Sequence, residues 1–294
     1  MISNLGKEDL EILLNFSMLN LFKYSSIPTR VITACVILPL FILVVWTGSQ
    51  FNILFLTFAT ALTSGIGSWE INKIIGKFGI KTQSFLTIPI SVALVSSTYF
   101  YDTLSTYYFS GITLLALLLL VLTPNIMKYS NFHNLLSVLL PIFIPAGFLL
   151  YAPLLMQSNL GLEKFVFMFL IVFTFDTFAL TFGKLFGTHK LIPSISPNKT
   201  WEGLIGGTIS SLILSTFLFY FDLINFVTSI PIYYILTLSI VVAAQLGDIS
   251  ISRIKRMSNL KDTSSILPGH GGILDRLDSI LFSLLIMHYF IRIN

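Results

Sequence analysis

Residues 165–183 read FVFMFLIVFTFDTFALTFG. Seven of these nineteen side chains are Phe, and one, Asp176, carries a charge. At 1.5 Å per residue such a helix is about 28 Å long, close to the hydrocarbon thickness of a bilayer. A membrane β-strand would alternate apolar and polar positions, and this stretch does not. It is therefore read as a spanning helix. Asp176 lies about seven residues before its end at Gly183. A carboxylate at that depth is costly and needs a cation, a metal or a hydrogen-bond donor.

Eight further apolar runs surround this one, at roughly 31–49, 51–68, 84–101, 107–126, 132–156, 203–221, 229–247 and 274–292. The first two are joined by a very short turn around Gly48 to Gln50. The fifth contains Pro141, Pro145 and Pro153, so a kink is expected there. Over the 294 residues, 55% are hydrophobic and only 10% charged, against about 25% charged in a soluble domain. Mean hydropathy is +0.88. These figures exclude a cytosolic globular enzyme, a disordered chain and a disulfide-built secreted scaffold. With one cysteine, Cys35, no intrachain disulfide can form. The fold class predicted is all-α: a polytopic membrane protein of about nine spans. Three regions follow: 1–29, cytoplasmic or interfacial; 30–160, the N-terminal spans; and 161–294, the C-terminal catalytic region. No cleavable signal is read at the start, where Glu8, Asp9 and Glu11 precede any apolar run. Leu10, Leu13, Leu14, Met18 and Leu21 are spaced for a surface amphipathic helix.

Placing the N-terminus in the cytoplasm and alternating nine spans puts 15 of the 17 Lys and Arg inside. Only Lys164 and Arg292 fall outside, as the positive-inside rule requires, and the C-terminus ends on the opposite side. The net charge of +4 is thus accounted for by the membrane, without nucleic acid. External turns at 47–52, 102–106, 157–164 and 222–230 are short, whereas internal loops at 184–202 and 248–273 hold most of the reactive side chains. A transporter places such groups near the midplane. One-sided placement favours an enzyme acting on lipid at the cytoplasmic leaflet.

The densest stretch is QLGDISISRIKRMSNLKDTSSILPGHGGILDRLD, Gln245 to Asp278. Asp248 and Ser252 are four apart, and Lys255 and Arg256 follow three and four after Ser252, so all four share one face of a helix leaving the membrane. Asp275 and Asp278 share a face at the start of the last span. Asp248, Asp275 and Asp278 form a hard oxygen set suited to Mg²⁺, with a second metal ion as an option. The neighbouring cations point to a polyphosphate. Pro268-Gly269-His270-Gly271-Gly272 is a turn whose backbone N–H groups can approach phosphate. Upstream, Ser196-Pro197-Asn198-Lys199-Thr200 is a polar turn in which Ser196 and Lys199 are phosphate donors. Gly203, Gly206 and Gly207 are read first as helix-packing positions. Glu70, at an inner span end, is read as a cap or the partner of a basic residue.

Ser252, Lys255-Arg256, Lys261-Asp262, His270-Gly271-Gly272, Asp275-Arg276 and Asp278 together resemble the signature of phosphatidate cytidylyltransferases, also called CDP-diacylglycerol synthases. Asp176-Thr177, Gly183, Phe186-Gly187, Ile195-Ser196-Pro197, Lys199-Thr200 and Glu202-Gly203 extend the likeness upstream. One departure is Thr181, where family members often have Tyr. The resemblance covers about the C-terminal 120 residues; the first 160 match only as generic spans.

It implies that CTP and phosphatidic acid give CDP-diacylglycerol and pyrophosphate with Mg²⁺, in a bacterial inner membrane, by a homodimer. On that basis Asp248, Asp275 and Asp278 take the metal, while Lys199, Lys255, Arg256, Lys261 and Arg276 neutralise phosphates. Ser196, Asn198 and His270 orient the nucleotide or lipid head, Ser252 is counted with the substrate-binding residues, and Asp262 positions Lys261 or water. The alternatives are a CTP-dependent lipid kinase of the dolichol or phytol kinase type and, from another class, a transporter or inactive scaffold.

Overall fold

The computed structural model describes residues 42–50, 52–100, 133–224, 226–227, 229–267 and 271–293, with 35, 39 and 111 as isolated positions. The amphipathic segment before residue 30, nine of the nineteen positions in the run at 31–49, all but Gly111 of the run at 107–126, and His270 lie outside these. Eight helices and one small hairpin carry the site: α1 Ile53–Gly76, α2 Ser84–Ser97, α3 His133–Leu149, α4 Tyr151–Gln157, α5 Gly161–Phe186, strands β1 Lys190–Ile192 and β2 Ser196–Thr200, α6 Trp201–Tyr220, α7 Ile230–Met257 and α8 Leu274–Ile293. The fold is mostly helical, as expected. The antiparallel β1–β2 pair, with Lys190 opposite Thr200, is an addition to the all-α reading, which took Ser196–Thr200 for a plain turn.

Among the described residues four helices are long and apolar enough to cross a membrane: Leu135–Gln157, Gly161–Phe186, Trp201–Tyr220 and Ile230–Met257. On α6, Ile205, Ile209 and Ile213 recur every four residues and are each more than half exposed. A soluble protein would bury such a stripe; a lipid-facing helix displays it.

The prolines act unevenly. Pro141 and Pro145 sit inside α3, and the break falls at Leu150. Pro153 explains the position, because it has no N–H to offer the Leu149 carbonyl four residues back.

Helix ends are locally specified. Asn52 caps α1 by accepting from Leu54 N at 2.8 Å, and Thr200 caps α6 by accepting from Gly203 N at 3.1 Å. Buried polar pairs tie α1 to α2: Ser64 to Ser91 at 2.5 Å, and Asn72 Nδ2 donating to Thr87 Oγ1 at 2.8 Å. The α5–α6 contact depends on missing side chains. A Cβ at Gly203 would stand 2.5 Å from the Ala179 carbonyl oxygen, and one at Gly207 2.8 Å from that of Phe175. Helix packing is thus the role the structure gives these glycines.

α1 and α7 both outrun their apolar stretches, α7 by ten residues beyond position 247. That extension carries Asp248, Ser252, Lys255 and Arg256 on one continuous helix. The end of α1, the hairpin, the end of α7 and the start of α8 meet at one end of the bundle, through Glu70, Lys199, Arg256 and Asp275. Lys164 is near Ser158, beyond the opposite end of α4.

Candidate active site

A cavity of about 430 Å³ opens where these elements meet. α5 contributes Asp176, the hairpin Ser196, Asn198 and Lys199, α7 Gln245 and Asp248, and α8 Asp275, Arg276, Asp278 and Ser279. The α7–α8 crossing is close because residue 247 is Gly: a Cβ there would collide with the Asp278 carbonyl oxygen. This crossing sets Asp248 beside Asp278 across the two helices.

The carboxylates are held differently. Asp248 Oδ2 pairs with Lys199 Nζ at 2.7 Å, and its Oδ1 accepts from Ser252 Oγ at 3.0 Å. Both partners of that ion pair keep a fifth or more of their side-chain exposure. Asp278 Oδ1 accepts from Ser279 N at 2.8 Å. Asp176 and Asp278 enter no ion pair among the described residues.

Asp275 stands apart. Its Oδ1 takes Lys255 Nζ at 2.7 Å, and its Oδ2 accepts from Thr263 N, Thr263 Oγ1 and Gly272 N at 2.8, 3.0 and 2.9 Å. A carboxylate has about four acceptor sites; three N–H donors already occupy this one, and the Thr263 hydroxyl is shared between it and Glu70. As placed, Asp275 organises protein and has little left for a metal, unlike its sequence assignment.

The cations also divide. Lys199 and Arg276 line the cavity. Lys255 is buried against Asp275 and does not. Arg256 donates from Nε to the Ile195 carbonyl at 3.1 Å and from a terminal nitrogen to that of Leu260 at 2.9 Å, pinning the hairpin turn to α7. Lys261 and Asp262 are exposed on the loop between α7 and α8. The structure therefore gathers Ser196, Asn198, Lys199, Asp248, Asp275, Arg276 and Asp278 at one cavity, with Ser252, Lys255 and Arg256 holding its frame.

Sequence reasoning left two acidic residues out of the site. Asp176 is on the cavity wall, and its signal was the lone charge in the run at 165–183. Glu70 is fully buried, and none of its partners is basic. It accepts from Ser264 Oγ at 2.6 Å, Ile273 N at 2.8 Å, Leu274 N at 2.9 Å and Thr263 Oγ1 at 3.0 Å. It is a cap, but of α8 rather than of its own helix.

Gly272 sits where these bonds converge. A Cβ there would overlap Thr263 Oγ1 and Glu70 Oε1. Gly272→Ala should therefore destabilise the protein by about 1–3 kcal/mol, the usual range for overpacking. Thermal melting in detergent checks this, and an unchanged midpoint would show that the junction yields freely.

A model of the cytidylyltransferase family matches residues 28–294. The chain belongs to that family. Among curated cytidylyltransferases it is similar to the phosphatidate cytidylyltransferase of Staphylococcus haemolyticus (strain JCSC1435), 48% identical over 124 residues, 42% of this chain and 47% of the relative. The Staphylococcus aureus (strain COL) protein of the same name is 49% identical with the same coverage. That of Rickettsia conorii (strain ATCC VR-613 / Malish 7) is 39% identical over 165 residues, 55% of this chain and 70% of the relative. The chain spans about half the length of the staphylococcal cytidylyltransferases it matches.

Proposed function

We propose that this chain transfers the cytidylyl group of CTP to phosphatidic acid, giving CDP-diacylglycerol and pyrophosphate for phospholipid synthesis. The observation that carries this reading is the single cavity in which carboxylates from α5, α7 and α8 meet Lys199 and Arg276 at one end of a lipid-facing bundle. The names of the relatives support the same reaction.

Mg²⁺ fits the donor chemistry, because Asp176 and Asp278 bring carboxylate charge that no cation among the described residues balances within an ion pair. Among those residues no three His, Cys, Asp or Glu side chains are grouped to hold one ion. Mg²⁺ commonly takes one or two carboxylates and leaves the rest of its shell to substrate phosphates and water. Asp248 and Asp278 would hold it, with Asp176 beside them. Bound there, it would withdraw charge from phosphate oxygens.

The remaining work falls to the chain. The phosphate monoester of the lipid has a second pKa near 6, so its attacking oxygen is already anionic and a strong general base is unnecessary. A bond forms between that oxygen and the α-phosphorus while the bond to the β-phosphate bridging oxygen breaks, and pyrophosphate leaves with the electron pair. Two anions must be brought together. Lys199 and Arg276 neutralise them from the cavity wall, and Lys261 from the loop. Ser196 and Asn198 orient the phosphates from the hairpin edge, with His270 assigned the same task from the loop. Lys255 and Arg256 act through the frame.

Nine spans, an internal N-terminus and an active face toward the cytoplasm of a bacterial inner membrane complete the reading, with a homodimer as the assembly. The distribution of Lys and Arg supports the orientation, and CTP would reach the site from the cytosol. Purified protein incubated with labelled CTP, phosphatidic acid and Mg²⁺ should yield a labelled CDP-lipid and pyrophosphate. CDP with a newly phosphorylated lipid alcohol would make it a lipid kinase instead. Absence of any CTP-dependent lipid product would overturn the proposal.

A further inference from the structure

Glu70 lies on α1, in the half of the chain that carries none of the family signature. Its four donors belong to the two ends of the loop between α7 and α8. Thr263 and Ser264 stand near the loop's beginning, and Ile273 and Leu274 at its close. One buried carboxylate thus pinches together points ten residues apart. Within the loop, Leu267 and Gly271 exchange backbone bonds at 2.9 and 3.1 Å, which tightens the same closure.

Two of the donors are backbone N–H groups at the start of α8. Such groups have no partner inside their own helix and favour a negative charge. Glu70 supplies both from a different helix. The same Thr263 hydroxyl also reaches Asp275 Oδ2, whose other oxygen holds Lys255 on α7. A continuous chain of contacts therefore runs from α1 through Thr263 and Asp275 to the turn of α7 that follows Asp248 and Ser252. The first turn of α8 that Glu70 caps also carries Arg276 and leads into Asp278, both on the cavity wall.

We infer that Glu70 is a positioning residue for the transfer reaction: it fixes the start of α8 and the loop before it, so that Asp278 and Arg276 face Asp248 across the cavity. This rests on the reading of the cavity as a cytidylyltransferase site. Glu70 itself touches neither substrate. Its loss should lower turnover more than it weakens substrate binding. A carboxylate is required, because each of its oxygens faces a backbone N–H that can only donate, Ile273 N at Oε1 and Leu274 N at Oε2. Whichever way an amide turns, its NH₂ meets one of those N–H groups, whereas Asp keeps the charge one methylene short.

The test compares wild type, Glu70→Gln and Glu70→Asp in detergent, measuring melting midpoint, kcat, and KM for CTP and for phosphatidic acid. Glu70→Gln should lose about thirtyfold or more in kcat with both KM values within about threefold. Glu70→Asp should regain at least fivefold of that loss. A kcat for Glu70→Gln within twofold of wild type would overturn the inference. So would a loss fully explained by the fraction of protein unfolded.

If Glu70→Gln does not fold, Thr263→Val decides. It removes the shared hydroxyl at nearly constant shape and leaves the α8 bonds to Glu70 in place. A roughly tenfold fall in kcat is expected, and an unchanged kcat refutes the inference. Wild type inactive with CTP and phosphatidic acid would instead sink the functional proposal, so the two failures are distinguishable.

Discussion

Asp248→Asn loses roughly a thousandfold in kcat/KM, about 4 kcal/mol at 1.36 kcal/mol per factor of ten, while melting close to wild type. The carboxylate is at the centre of the cavity's charge pattern, between Lys199 and Ser252 and across from Asp278. The amide cannot hold a hard cation with comparable strength, and it leaves Lys199 without its counter-charge. Stability should change little, because both partners of the Lys199–Asp248 pair are partly exposed and such pairs contribute about 0–1 kcal/mol. Steady-state rates with CTP and phosphatidic acid, beside a thermal melt, check both halves. Activity within tenfold of wild type would remove Asp248 from the chemistry.

Asp275→Asn behaves differently: it loses activity and fold together. Its partner Lys255 is buried, and the pair is closed at 2.7 Å. Removing one charge of a buried pair typically costs about 3–5 kcal/mol, because the other is left unpaired. Whichever way the Asn amide turns, its NH₂ meets either Lys255 Nζ or the donors from Thr263 and Gly272. The double variant Lys255→Met/Asp275→Asn removes the orphaned charge and should recover much of the stability without recovering turnover. A melting midpoint for Asp275→Asn equal to wild type would show that this pair does not support the fold.

The contrast between these two aspartates marks the limit of the sequence. Both stand in the same dense stretch, and local spacing treats them alike. What separates them is the set of donors each meets, and for Asp275 those come from Thr263 and Gly272, twelve and three residues away. The span around Asp176 was legible, because a long apolar run declares itself. The extension of α7 was legible from another signal: hydropathy ends near 247, but the spacing of Asp248, Ser252, Lys255 and Arg256 put them on one helix leaving the membrane, and that helix continues to Met257. The hairpin at 190–200 was missed because strands of three and five residues are too short to show an alternation. Glu70 was read as a cap or the partner of a basic residue; local pattern could neither choose between these nor say which helix it caps when the partner is far along the chain.

That distance bears on how the protein is made. Glu70 and Ile273 are separated by 203 residues. At about 5–20 residues per second of synthesis, α1 waits roughly 10 to 40 seconds on the ribosome's clock before its carboxylate can meet the backbone that satisfies it. During that interval the nascent chain must keep Glu70 at an aqueous edge or against a temporary partner. A helix translated late, α8, therefore completes one translated early, α1.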